Sequence, residues 1–294
     1  VNLSGANLNR ANLRKAQLIK ANLRNADLSN ANLLETNLEG TNLQGAKLEK
    51  ALCNATTIFP ASFDSVKAGV YFIAPGASLQ NANLSGAELS YPHPVNLTGA
   101  NLQSSNLNST NLQGAELSQA NLIGSNLSNA NLFGAKLLQV NLWKANLSEA
   151  NLTNANLTAA SLSEVNLFQV NLAGTNLAGA DLSHTNLKNA QNVYSANLSG
   201  TNLYEANLLG VSMSGVNLSG ANLSRANLCG TNLDGANLSG ANLSSADLRG
   251  ANLRRANLEK ANLKGANING IILGQNHEKA KLAGAIMPDG TTYE

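Results

Sequence analysis

Three histidines and two cysteines are the side chains of this chain best suited to metal or nucleophile chemistry. His93, His184 and His277 stand apart, and no carboxylate or Cys sits at metal-ligand spacing to any of them. Cys53 and Cys229 are far apart; two thiols make neither a disulfide framework nor a structural zinc site. Serine is abundant but recurs at fixed positions, without a G-x-S-x-G elbow or a phosphate-cradling glycine loop. The expectation is no catalytic residue, no metal site and no cofactor.

Recognition chemistry is better represented. Ile123, Phe133, Leu138 and Trp143 occupy slots that the surrounding sequence mostly fills with Ser, Gly, Thr and other polar residues. Ile123 and Trp143 are 20 residues apart. Apolar groups clustered on a polar surface mark contact sites, so these four are the candidate contact with an unknown protein partner. Scattered surface apolar residues are the competing reading.

Where those slots point depends on the element that carries them. That element is a five-residue phrase, A-N-L-x-x, which fills most of the 294 residues; Ala236 to Ser245 reads ANLSGANLSS. With the Leu position as i, 53 units fall in register and 47 carry Leu there. The exceptions are Cys53, Ile58, Phe63, Met213, Ile268 and Met287, none charged. Position i−2 is mostly Ala, with Thr36, Val140 and Ile271 among its alternatives, and is never charged. Position i−1 is usually Asn, yet accepts Lys47, Glu88, Glu116, Lys136 and Asp247. Positions i+1 and i+2 accept Arg14, Lys15, Arg254 and Arg255, with Gly frequent at i+2.

Those tolerances give directions. Positions i−2 and i face inward and i−1 faces water, which is a three-residue strand. Positions i+1 and i+2 turn the chain, where Gly, Ser and Asn suit unusual dihedrals. Slot i+1, which holds the four apolar candidates, is then expected to be exposed. Three residues cannot satisfy their own backbone groups, so the units must stack on one another at ~4.8 Å.

Uninterrupted A-N-L-x-x resembles the pentapeptide-repeat family over nearly the whole chain, and the cyanobacterial members most. The resemblance implies an all-β fold: a right-handed quadrilateral parallel β-helix of four units per coil, about 13 coils, forming a rod roughly 60 Å long. It also implies a non-enzymatic structural or protein-interaction rod, tied in the cyanobacterial group to heterocyst or envelope formation. One solenoid domain is expected over residues 1–294, interrupted near 64–78, 90–94, 189–195 and 274–279. The first interruption, DSVKAGVYFIAPG, carries Tyr71, Phe72 and Ile73 and reads as a packed cover, with a partner-binding loop as the alternative. SYPHP reads as a small loop, Gln191–Tyr194 as a bulge and GQNHE as a loop. All five prolines sit in or beside these breaks or near the end of the chain, as a ladder that needs its N–H donors requires.

Charge narrows the partners. The chain carries a net +2. Residues 1–50 hold 7 Lys/Arg against 4 Asp/Glu and residues 245–294 hold 7 against 5, which leaves 5 against 8, a net −3, between them. Gyrase binding by DNA mimicry, known in other branches of the family, needs a strongly negative surface, and this balance argues against it. Nucleic acid is likewise not the expected partner, although the basic ends keep direct binding as a testable alternative. No apolar run approaches the ~18 residues of a membrane span. Val1 begins inside a repeat, without Met, so a fragment is expected, with membrane contact only through an upstream segment. The ending AKLAGAIMPDGTTYE resembles the usual close of cyanobacterial members, so a genuine C-terminus is expected.

Overall fold

The structure, a computed structural model, describes residues 1–90 and 93–294. Its repeating element is a turn. In most units the Leu carbonyl accepts the N–H three residues on, as in Ala236 N–H to Leu233 O at 3.0 Å. The third residue of that turn has positive φ, +68° at Gly235 and +59° at Arg10. The second does not, and that combination is a type II turn. The Asn side chain sets up the turn, because its Oδ1 accepts the N–H of the second turn residue, as in Asp234 N–H to Asn232 at 3.2 Å. Asn is suited to this role because its short amide bonds the backbone two residues on.

The units stack with an offset of 20 residues. Asn101 bridges Asn121, and Asn121 bridges Asn141, all in parallel. Leu122 N–H donates to Asn141 O at 2.7 Å, and Asn141 N–H donates back to Ala120 O at 3.0 Å. The Asn side chains form a second ladder outside the backbone, with Asn222 Nδ2 donating to Asn202 Oδ1 at 2.9 Å. Four such bridges occur in each 20 residues, so the chain is a parallel β-helix of five-residue sides. Leu and Ala point inward and are buried. Most inward threonines satisfy their hydroxyls on a Leu carbonyl of the coil before, as Thr110 does on Leu84 O at 2.8 Å, while Thr185 and Thr201 use the Leu carbonyl of their own turn. The i+1 slots differ from expectation: many are half-buried, Ile123 and Leu138 among them. In a column at coil spacing, each i+1 side chain leans on those above and below.

Two ladders are present among the described residues, and no bridge joins them. The first stack (1–73) runs from Asn2↔Asn22 to the parallel pair β1 (Leu52–Cys53) and β2 (Tyr71–Phe72). The second stack (76–294) runs from Ser78↔Asn101 to Asn262↔Ile286. Between them the chain lies across the far end of the first core. Phe59 and Phe63 stack at 5.0 Å and, with Ala68 and Val70, pack on that core. Tyr71 packs against the second core, and Ile73 is buried within it.

The two stacks meet side to end. Leu34 and Leu52 leave the flank of the first stack and are buried beside Leu79, Leu84 and Leu89, in the opening coil of the second. Around this apolar contact lies a polar one. Asn32 Nδ2 donates to Glu88 O at 2.8 Å, and Arg14 Nη2 donates to His93 O at 2.9 Å. The Arg14 guanidinium, 7% exposed, is also held by Glu35 at 2.6 Å.

The other breaks change the offset locally. Across the expected 90–94 loop it falls from 23 (Glu88↔Asn111) to 20 (Asn96↔Glu116). Tyr91 and Pro92 of that loop lie outside the described residues. Between Asn171↔Gln191 and Asn176↔Asn197 one residue is added; it folds as a 3-10 turn, Val193–Ser195, with Val193 buried. Between Asn252↔Ile272 and Asn257↔Lys281 four are added, and they hold the 3-10 turn Asn276–Glu278. At the end of the chain Thr292 pairs antiparallel with Ile286, folding the tail back on the last coil.

Candidate functional site

Columns of equivalent slots, one residue per coil, are the display units of this fold. Gly124 N–H donates to Trp143 O at 2.9 Å, so Ile123 and Trp143 are neighbours on one column. Phe133 hydrogen-bonds through its carbonyl to Gly114, and Leu138 to Gln119, which places each on a column of its own. The structure therefore brings Ile123 and Trp143 together and leaves Phe133 and Leu138 apart from them. Trp143 and Phe133 are exposed; Ile123 and Leu138 are half-buried.

Following the Trp143 column upward reveals a longer edge. Lys144 Nζ lies 4.3 Å from the Trp143 ring centre, over its face, and 3.5 Å from Glu164. Trp143 Nε1 donates to the same Glu164 carboxylate at 3.3 Å. In the next coils His184 meets Tyr204 edge-on at 5.5 Å, and its Nδ1 is 3.4 Å from Glu205. Arg225 closes the series, 3.4 Å from Glu205 and 5.9 Å from the Tyr204 ring centre. From Ile123 to Arg225 the edge spans five coil steps, roughly 24 Å at strand spacing. Elsewhere the same slots are filled largely with Ser, Gly, Asn and Thr.

The electrostatics tie these groups to one another. A hydrogen bond to Glu205 pushes the Tyr204 hydroxyl above its ordinary range, with burial adding to the rise. The same bond, with the Arg225 and His184 charges, holds the Glu205 carboxyl below its ordinary range against desolvation. The Tyr204 hydroxyl is thus committed as a donor and Glu205 as an anion. What the edge offers is aromatic faces and fixed charges, the chemistry of recognition.

Sequence reasoning found Ile123 and Trp143 and missed the rest of the edge. The missing signal was arithmetic on the column. Trp143 leads by steps of 20 to Ser163 and Ser183 and by 21, across the added residue near Val193, to Tyr204; beside it Lys144 leads by the same steps to Glu164, His184 and Glu205, and by 20 more to Arg225.

Among the described residues no group of three or more His, Cys, Asp or Glu could hold a metal ion. Burial pushes the Cys53 thiol up to about 11, which leaves it protonated and inert at neutral pH. No helix is long and apolar enough to cross a membrane, among the described residues.

A family model described as pentapeptide repeats, in 8 copies, matches residues 1–33, 21–52, 96–132, 125–163, 160–191, 196–235 and 236–275. No curated protein matches the sequence. Similar solved structures include HetL, a pentapeptide repeat protein involved in heterocyst differentiation regulation from the cyanobacterium Nostoc sp. strain PCC 7120. It is 39% identical, over 74% of this chain and 90% of HetL, with a TM-score of 0.36. The pentapeptide repeat protein Rfr23 from the cyanobacterium Cyanothece 51142 is 34% identical, over 42% of this chain and 91% of its own, with a TM-score of 0.27. QnrB1, a plasmid-mediated fluoroquinolone resistance protein, is 20% identical, over 68% of this chain and 93% of its own, with a TM-score of 0.26. With the five-residue turn, the 20-residue offset and the repeat model agreeing along most of its length, the chain belongs to the pentapeptide-repeat family.

Proposed function

We propose that the chain is a non-enzymatic protein-interaction scaffold, residues 1–294 acting as one unit, which presents the Trp143–Arg225 edge to a protein partner. The observation that carries this reading is the placement of Trp143 and Tyr204 on one column and Arg225 on the column beside it, on an otherwise small and polar surface. Trp, Tyr and Arg dominate binding energy at protein interfaces, because each offers large contact area together with a polar handle. Ile123 extends the edge by one coil; Leu138 lies one side of the coil away from it and Phe133 two sides away, on the opposite face. The scaffold itself is taken as right-handed and four-sided, with units for about 13 coils divided between the two stacks; the 20-residue offset supports four sides. A tie to heterocyst or envelope formation belongs to the same proposal and rests on the sequence resemblance alone.

The test is positional. A photo-crosslinking residue at Ser163 or Ser183, on the edge, should capture a partner that one at Ser239, on another column, does not. Trp143→Ser combined with Tyr204→Ser should abolish the capture. Equal crosslinking from Ser239, or capture that survives the double substitution, would remove the edge from consideration. Net +2 and the alternating Lys144, Glu164, Glu205 and Arg225 argue against a phosphate-like acidic array. A gyrase supercoiling assay should accordingly show no inhibition at high protein excess.

A further inference from the structure

The opening coil of the second stack has a backbone edge with no coil before it. In interior coils each Asn exchanges two hydrogen bonds with the preceding coil. Asn106 N–H donates to Ala82 O at 2.8 Å and Asn106 O accepts from Leu84 N–H at 2.8 Å. Among the described residues Asn83, at the start of the same column, makes neither bond, and Ser85 O accepts none. Both residues are exposed. One column over, the first stack supplies a substitute, because Asn32 Nδ2 donates to Glu88 O, where a preceding coil would have placed an N–H.

A cavity of about 270 Å³ separates the Asn83 edge from the flank of the first stack. Asn83, Ser85 and Gly86 line one wall, and Arg10, Lys50 and Leu52 the other. Arg10 and Lys50 are exposed cations; among the described residues Lys50 forms an ion pair with the exposed Glu49 alone, at 3.7 Å. Glu88 borders the same space, and its carboxylate already accepts from Ser90 and Asn111.

We infer that this slot takes an extended acidic peptide segment of a partner, docked as an additional rung. Its residue n accepts the Asn83 N–H on its carbonyl. Its residue n+2 donates to Asn83 O, and its residue n+4 donates to Ser85 O, the parallel pattern of every interior coil. Main-chain pairing to an open edge supplies the affinity, and the cationic wall selects carboxylates. The slot lies on the opening coil and does not depend on the Trp143 edge.

The experiment uses the full chain, labelled with 15N, and the acetylated, amidated pentapeptide Ala-Asp-Leu-Glu-Gly as the probe. Titration should shift the amide signals of Asn83, Ser85 and Gly86 saturably, in the millimolar range expected of a short flexible ligand. N-methylation of the peptide's third residue removes the donor to Asn83 O and should weaken binding by about 10-fold. Arg10→Glu combined with Lys50→Glu should weaken it by about 10-fold as well, more at low salt than at high salt. Three results would each overturn the inference: no shift at about 5 mM peptide, equal binding of the N-methylated peptide, or shifts centred elsewhere on the molecule. Because the peptide arm leaves the protein unaltered, a variant that failed to fold would not obscure the outcome.

Discussion

The two stacks obey one rule and solve different problems with it. The second stack buries a continuous Leu and Ala ladder and stitches its surface with Asn–Asn bonds, repeated in coil after coil. The first is three coils deep, with ten residues in its buried cluster and one Asn–Asn ladder bond, Asn22 to Asn2. Its turns are less suited to their conformation than those of the later coils of the second stack, and resemble those of residues 104–184, where Gly fills only 114, 124, 134, 174 and 179. Of the i+2 positions up to residue 50, Gly fills only 5, 40 and 45; the others, among them Lys15, Lys20 and Glu35, hold side chains at positive φ. Between residues 200 and 270 Gly fills most of them. A short solenoid with strained corners gains stability by leaning on a long one, and nearest-neighbour stacking alone would not supply it. Leu34, Leu52, Arg14 and Glu35 are the residues that make the first stack lean.

The largest expected effect breaks the better-built side. Leu147 is fully buried in the middle of the second ladder. Leu147→Asp places an unpaired carboxylate there and should destabilise that stack by more than about 4 kcal/mol. Calorimetry should then show the first stack melting no later than the second, since it has lost its support. An unchanged thermogram would refute the inward placement of position i.

The inward and outward directions were legible from which positions tolerate charge, and the burial of Leu and Ala follows them. The type II corner was partly legible, since Gly, Ser and Asn at i+2 pointed to unusual dihedrals. The role of Asn was not, because outward tolerance at i−1 hid the fact that its amide both folds the turn and links the coils. The junction was also missed, though its signal was present. Leu52 sits in an i−1 slot and Leu34 in an i+1 slot, the same departure that singled out Trp143. What sequence could not supply is which apolar side chains in outward slots meet another part of the chain and which meet water. That depends on where the ladder breaks, and the break is set by packing of Phe59, Phe63 and Tyr71 rather than by the repeat.

Two substitutions at the junction should separate the stacks with intermediate effect. Leu34→Ala removes a fully buried side chain from the contact and should cost about 2–3 kcal/mol, splitting the thermogram into two transitions. Cys53, next in sequence to the junction's Leu52, is buried, so its alkylation in the native protein should be slow relative to half-exposed Cys229 and should accelerate in this variant. Glu35→Gln leaves the nearly buried Arg14 without its carboxylate. The effect should be about 2–3 kcal/mol, less than for a fully enclosed pair because Glu35 keeps 21% of its side chain exposed. Desolvation raises the Glu35 pKa, but the hydrogen bond and charge of Arg14 outweigh it and hold the carboxyl below its ordinary 4.5. A depressed carboxyl stabilises fully above its unfolded pKa and stops doing so as pH falls through the folded one. The first transition should therefore drop relative to the second between pH 4.5 and the lower folded value. In Glu35→Gln that relative drop should shrink; a drop of the same size would assign the pH dependence to other carboxylates.

The smallest effect tests the comparison at a single backbone position. Lys20 and Gly235 both occupy the left-handed third residue of the turn, with φ of +54° and +68°. A Cβ added at Gly235 would meet nothing within 4 Å, so Gly235→Ala probes the dihedral alone. It should destabilise the second stack by about 1 kcal/mol. Lys20→Gly runs the other way: it relieves the strain of a side chain at positive φ but adds freedom to the unfolded chain. The net gain should be a few tenths of a kcal/mol to about 1 kcal/mol, read in the first transition of the Leu34→Ala background, where the two stacks melt apart. If Lys20→Gly instead destabilised that transition, turn strain would not explain the weakness of the first stack, and its shortness alone would have to.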